Sequence, residues 1–424
     1  MSDGLFPSGS ADDREPLTLS AAESYLATTA FDTGRPGFVG AEVEWLLARR
    51  DDPVAHVPGE LSQAVLAGVD GGLTKGTLRH GRISLEAGGA IKVTSPPSPG
   101  IDSCLGRMSV DLDEVRRAVH QYGLRPVGSA LEPWRRVRRT VDNPRYAAME
   151  TFFDRRGPAG RWMMCATSSV QVCVDAGLPY SGWLGCRRRW VLAHAIGPVL
   201  VAAFANSPVR HGRPTGWKST RQAIWQQLDS GRVRPVSAGE PGEAWARYAL
   251  AADVMCIRST AGPWFVPRGL SFRDWITTAS PRRPTWSDLR YHLTTLFPPV
   301  RPRGYLELRM IDGQAGDDWA VAVAVTAGLF GDDRAAEQAF EATERLRATG
   351  PDASPGNCWQ RAARDGLGDP ELAAAALDCF VSAYAALARL NVSRDVRDRV
   401  ATFIERYVSQ RRCPADDVLD GVRV

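Results

Sequence analysis

The stretch Met163–Asp175, MMCATSSVQVCVD, sets the strongest limit on how this chain can fold. Thr167, Ser169, Gln171, Cys173 and Asp175 are polar or small, while Ala166, Ser168, Val170, Val172 and Val174 between them are mostly apolar. A period of two marks a half-buried strand, with one packed face and one face for polar work. Two further stretches repeat it. In Phe38–Trp45, FVGAEVEW, Glu42 and Glu44 share one face and Ala41 and Val43 the other. In Tyr305–Ile311, YLELRMI, Glu307 and Arg309 are backed by Leu306, Leu308 and Met310. One such strand alone reads as the solvated face of a sheet. Three of them, with acid, amide and arginine on one side, describe a sheet whose polar face holds cations and a charged substrate.

Composition narrows the class by exclusion. A length of 424 residues allows two or three domains, or one large single-sheet enzyme. With 44% hydrophobic and 24% charged residues the chain can bury a sizeable core. Its net charge of +4 gives no case for a nucleic-acid partner or a membrane surface. The eight cysteines show no CxxC pair and no metal-finger spacing, as expected of reduced thiols in a cytoplasmic protein. The start, MSDGLFPSGSADDREP, lacks the basic and apolar segments of a signal peptide. No apolar run is expected to span a bilayer, the best, Trp190–Asn206, being broken by His194, Gly197 and Pro198. GxSxG, GxxxxGK[ST] and GxGxxG are all missing, so a Ser/His/Asp hydrolase, a P-loop and a Rossmann site have no support.

Along the chain, residues 1–17 read as a mobile tail. Helices are expected over Leu19–Phe31, with Ser20 and Glu23 at capping-box spacing, over Ser109–Leu124, and after Pro144 in Asn143–Asp154. Others follow at Cys186–Asn206, kinked or interrupted near Pro198, at Ser219–Leu228 and within Thr285–Phe297. Asp70–Gly72 is turn material, and Gly157–Gly160 is a turn into the central strand. Trp245–Ile257 is either helix or strand, and the basic knot Trp134–Arg139 is either solvated surface or an anion contact. Beyond Asp317 the pattern is helical: Trp319–Phe330, Arg334–Thr349, Glu371–Leu390 and Ser393–Gln410. Residues 316–424 thus read as a helical cover packed on the same domain as 18–315.

Four groups can carry chemistry. Glu42 and Glu44, two apart on a strand, project to one side, and like charges so close want a cation between them. Mg²⁺ prefers such hard oxygen ligands together with nucleotide phosphates. In Leu85–Ala90, LEAGGA, Glu86 can add a ligand oxygen while two glycines let backbone approach a ligand, or the segment is a plain hairpin turn. In Lys218–Gln222, KSTRQ, Ser219 or Thr220 can cap a helix whose N–H groups, with Arg221 and Arg213, grip an anion; an ordinary capped helix is the alternative. Glu307 with Arg309 pairs a cation ligand with a phosphate-binding guanidinium, or is a simple ion pair. His194, on an apolar helix, reads as a core residue.

Several blocks then resemble the glutamate–cysteine ligases, in particular those of the actinobacterial ergothioneine pathway. They are VGAEVEW, LEAGGAIKVTSPP, RYAAMETFFD, MMCATSSVQVCVDAG, LAHAIGPVLVAAFANSP, RPTGWKSTRQAIWQQLD and YHLTTLFPPVRPRGYLELR, in order from about Val39 to about Leu390 with the helical tail. The resemblance implies an α+β, glutamine synthetase-like fold, with a curved antiparallel sheet, a carboxylate-lined concave face and packing helices. It implies ATP-dependent joining of L-glutamate to L-cysteine through an acyl phosphate, with ATP and the two amino acids as small-molecule substrates. It also implies Mg²⁺ held by Glu42, Glu44 and Glu86, with Gln171 and Glu307 next, Arg221 and Arg309 in catalysis, and Lys218 and Arg213 toward the nucleotide. Two positions depart from the family pattern: Lys92 stands where an acid is expected, and Cys173 where Asn is common. They keep two other readings open, a sibling amide ligase for another amine or acid and a weakly active paralog with a binding role.

Overall fold

The computed structural model describes residues 17–31, 36–69, 77–180, 182–236, 239–348 and 355–422. The expected tail, except Leu17, and the Asp70–Gly72 turn lie outside them. The strands in chain order are β1 (Phe38–Trp45), β2 (Leu47–Arg49), β3 (Arg82–Leu85), β4 (Ile91–Thr94), β5 (Ser98–Pro99), β6 (Leu124–Pro126), β7 (Ser169–Asp175), β8 (Val209–Arg210), β9 (Arg213–Pro214), β10 (Val300–Pro302) and β11 (Tyr305–Asp312). Seven form one open antiparallel sheet, in the order β10-β11-β7-β1-β4-β3, with β5 paired to the start of β1.

Alternation decides which face is buried. In β1, Val39, Ala41, Val43 and Trp45 are buried and the glutamates face away from them. Val170, Val172 and Val174 of β7 and Leu306 and Leu308 of β11 continue the apolar face. Helices Ile101–Gln121, Cys186–Ala203 and Trp319–Gly331 cover it and complete the main core. Trp319–Gly331 is apolar all round because it is buried all round. A second apolar cluster, including Met149, Phe152, Met163, Ile224 and Leu228, supports helices Pro144–Asp154, Ala159–Ala166 and Thr220–Trp225. These helices stand across a cavity from the polar face.

Several elements differ from expectation. Met163–Ala166 end the helix Ala159–Ala166, so the central strand starts only at Ser169. The helix expected at Ser109 begins at Ile101. Thr18 caps the helix Leu19–Thr29 in place of the Ser20/Glu23 box; a capping box forms instead at Thr285 and Asp288. The 245–257 stretch opens as helix, within Pro241–Ala251. Helix Gly59–Val69 was not anticipated, while Pro355–Asp365 and Pro414–Val422 extend the helical pattern expected beyond Asp317. Pro370–Arg389 has the length and apolarity of a membrane span, against the expectation that no segment does. Its Leu372, Ala376, Phe380, Ala383 and Leu387 are buried within the fold.

One irregularity shapes the site. Leu308 pairs with Val172 but Ile311 with Val170, so β11 carries one extra residue, a β-bulge, at Arg309–Met310. Arg221 donates to the carbonyls of Arg309 and Met310 at 2.9 and 3.3 Å, and Gln222 to that of Met310 at 2.7 Å.

Candidate active site

A cavity of about 580 Å³ lies between the polar sheet face and the helices. Glu42, Glu44, Glu86, Gln171, Arg221, Glu307 and Arg309 all line it. Sheet register brings them together: Glu42 lies opposite Gln171 across β1–β7, Lys92 opposite Glu44 across β1–β4, and Arg301 opposite Glu307 across β10–β11.

The carboxylates meet three different environments. Glu42 accepts from Gln171 Nε2 at 2.8 Å and from Thr94 Oγ1 at 3.3 Å. Glu44 accepts from Ser169 Oγ at 2.8 Å. Among the described residues Glu44 forms no ion pair; burial, then Glu86 and Glu42, push its carboxyl up to about 7. Glu86 receives Lys92 Nζ at 2.6 Å and the Tyr146 hydroxyl at 3.2 Å. Burial works against its charge, but the Lys92 ammonium outweighs it and holds the carboxyl below its ordinary value. Lys92 also stands 3.9 Å from Glu42. Burial opposes its charge too, yet Glu42, Glu86 and Glu44 together hold it above the usual lysine range.

Glu307 organises arginines. Arg301 meets its carboxylate at 2.6 Å, Arg309 at 2.9 Å and Arg303 at 3.9 Å. Burial raises its proton affinity, but the three guanidiniums win and keep it well below the ordinary range. A carboxylate so engaged has little left for a metal, which departs from the expected ligand role. Gln171 likewise bridges, taking Arg309 Nη1 on its Oε1 at 2.5 Å while donating to Glu42. The Nε of Arg309 is buried without a partner among the described residues.

Two expected anion contacts fall outside the cavity. Lys218 is tied to Asp416 at 2.5 Å, and the Arg213 side chain is exposed on the β8–β9 ribbon. The helix start beside them has no N–H to spare. Thr220 N donates to Ser207 O, Arg221 N to Ser207 Oγ and Gln222 N to Ser219 Oγ. Gly88 does meet backbone closely, but it is that of Cys165: a Cβ there would lie 2.0 Å from the Cys165 carbonyl oxygen. In the basic knot, Arg135 pairs with Glu132, and Arg139 with Asp142 and Glu150.

Sequence reasoning missed Arg301, Arg303, Tyr146 and Asp312. The first two alternate with Val300 and Pro302 in VRPRG, a period-two signal that could have found them. Asp312 lies buried past the bulge, accepting from Asn206 N, Ser207 Oγ and Ser219 Oγ, with Arg221 at 3.5 Å. A smaller, mostly apolar cavity of about 330 Å³ adjoins the main one at Glu42, Thr94, Arg303 and Glu307, and includes Val39, Cys173 and Tyr305. Burial, then Glu307 and Glu42, push the Cys173 thiol well above its ordinary range, which disfavours the thiolate that a nucleophile needs.

The donor set fits Mg²⁺ in the way that metal is usually held in nucleotide sites, by one or two carboxylates with phosphates completing its shell. Among the described residues no three acidic, histidine or cysteine side chains form a closed metal cage. Glu44, half-buried beside two carboxylates and lacking an ion pair among the described residues, is the oxygen donor most in need of a cation.

The sequence profile of Glutamate-cysteine ligase family 2 (GCS2) matches residues 38–422. The chain is 40% identical to the glutamate–cysteine ligase EgtA of Mycolicibacterium smegmatis, over 98% of this chain and 94% of that protein. It is 37% identical to the EgtA ligase of Mycobacterium tuberculosis H37Rv, over 97% and 92%. The crystal structure of a glutamate–cysteine ligase (gshA) from Francisella tularensis in complex with AMP superposes with a TM-score of 0.51 at 11% identity, covering 93% of this chain and 86% of that one. That last likeness is one of fold.

Proposed function

The chain belongs to Glutamate-cysteine ligase family 2, and from that premise we propose that its acidic cavity joins L-glutamate to L-cysteine at the expense of ATP. The likeness to two EgtA ligases over nearly the whole chain supports γ-glutamylcysteine as the product and ergothioneine synthesis as its use. One observation carries the chemical side. One cavity sets carboxylates of the sheet face (Glu42, Glu44) beside buried Arg301 and Arg221 and half-buried Arg309. Phosphoryl transfer needs little else, since it rests on positioning and on neutralising charge.

In this reading Glu42 and Glu44 hold Mg²⁺ with the nucleotide phosphates; the metal, when bound, offsets phosphate charge. Arg309, oriented by Glu307 and Gln171, presents its guanidinium to the transferred phosphoryl group or the glutamate carboxylates. Arg221, locked to the bulge carbonyls and to Asp312, fixes the floor on which Arg309 stands. Glutamate is activated as an acyl phosphate and the cysteine amine attacks it, so the enzyme needs no covalent nucleophile. The adjoining apolar cavity suits the small neutral side chain of cysteine better than the charged one does. Lys218 and Arg213 have no part in the site.

The test is ADP release by purified protein with ATP and Mg²⁺. Release should require glutamate and cysteine together. ADP formation indifferent to cysteine, or equally fast with other amines, would rule this substrate assignment out.

A further inference from the structure

We propose that Lys92 is a cation built into the chain, occupying the space between Glu86 and Glu42, so that the protein takes up one divalent ion fewer with its nucleotide than its carboxylates would otherwise hold. This rests on reading the cavity as a nucleotide-and-metal site.

Lysine on a sheet face ordinarily lays its stem on the surface and keeps its ammonium in water. Lys92 does the reverse. From a register position opposite Glu44 on one side and Ser84 on the other, it turns into the cavity. Its Nζ reaches Glu86 Oε1 at 2.6 Å and lies 3.9 Å from Glu42 Oε1. Tyr146 holds the second oxygen of Glu86 from the far side, at 3.2 Å. Glu86 therefore has both oxygens engaged by the protein.

An Mg²⁺ ion would sit about 2.0–2.1 Å from a ligand oxygen. Placed on Glu86 Oε1 beside the ammonium, it would bring a double and a single positive charge within a few ångströms of each other on one carboxylate. The two are alternatives. With Lys92 in place, Glu86 is the lysine's counter-ion, and Glu42 and Glu44 are left for the metal. Lys92 is the wrong sign for a ligand but the right sign for the job a second ion would do, which is to balance phosphate and carboxylate charge in the cavity.

The experiment counts Mn²⁺ bound per chain, by equilibrium dialysis or by the paramagnetic resonance of free Mn²⁺, with a non-hydrolysable ATP analogue at saturation. Wild-type protein, Lys92→Arg, Lys92→Met and Lys92→Glu are compared, with circular dichroism to establish folding. Lys92→Arg should match the wild-type count. Lys92→Met should gain one Mn²⁺, and Lys92→Glu should gain the same ion with at least tenfold tighter binding. An unchanged count in Lys92→Met overturns the proposal, and that variant decides the matter if Lys92→Glu does not fold. The count is independent of the reaction. A wild type inactive with glutamate and cysteine, whose Lys92→Met variant gains an ion, refutes the substrate assignment and leaves the role of Lys92 standing. Normal ligation with an unchanged count refutes only the role of Lys92.

Discussion

Side chain by side chain, the cavity is a set of charges that need each other. Glu307 is the clearest case, because three guanidiniums converge on one carboxylate that is 4% exposed. Removing one partner of such a group leaves buried charge uncompensated, which costs about 3–5 kcal/mol. Glu307→Gln should lose about that much stability by urea unfolding. Ligation should fall at least a hundredfold, because Arg309 loses the group that orients it. A variant of normal stability whose only defect is weaker Mg²⁺ dependence would return Glu307 to the metal-ligand role. Lys218→Ala is the contrast. The ion pair with Asp416 is partly solvated, and such pairs contribute about 0–1 kcal/mol. ADP formation in Lys218→Ala should stay within about twofold of wild type, and a large rise in KM for ATP would put Lys218 back in the nucleotide site.

At the level of strands and helices, period two made β1, β7 and β11 legible, and with them the shared face of Glu42, Glu44, Gln171, Glu307 and Arg309. What stayed hidden depends on partners the local pattern does not contain. Nothing in KSTRQ says that Lys218 meets Asp416, 198 positions away, or that the N–H groups of its short helix are already taken. Nothing in YLELRMI marks the bulge, because the extra residue is extra only relative to β7. The hairpin between β3 and β4 shows the same limit. Gly88 and Gly89 were legible as a tight turn, but the demand on Gly88 comes from the Cys165 backbone. Gly88→Ala must push the turn away from the entrance to β7, a form of overpacking that costs about 1–3 kcal/mol. Thermal stability should drop, while the nucleotide-dependent Mn²⁺ count, set by Glu42 and Glu44, should stay at the wild-type value. A fall in that count would make the turn part of the metal site.

For the molecule as a whole, the sheet divides two apolar bodies, and the acid sensitivity of the fold is set away from the cavity. His292 is 3% exposed, bonded to the Ala249 carbonyl at 2.9 Å and packed on Phe272. Burial, then the positive charge of Arg232, push its imidazole down from an ordinary 6.5 to about 3. His194 shifts the same way, to about 4, again by burial. Both imidazoles are therefore neutral in the folded chain at pH values where the unfolded chain protonates them. The unfolded state binds the extra protons, so stability is complete above pH 6.5 and declines as pH falls toward 3. At about 1.4 kcal/mol per unit, His292 alone should take about 3 kcal/mol from the fold by pH 4. The carboxylate of Glu307, held low by its arginines, adds to the loss only below the ordinary glutamate range. Glu44, whose carboxyl is raised to about 7 by burial and its acidic neighbours, takes up its proton in the folded chain first and offsets one imidazole. The two imidazoles outweigh it, so urea midpoints measured from pH 8 to pH 4 should still begin to fall near 6.5. Replacing His292 by Gln, which carries no titrating group, should lower stability at pH 8 yet flatten the slope between 6.5 and 4.5. A slope unchanged in that variant would place the acid-sensitive group elsewhere.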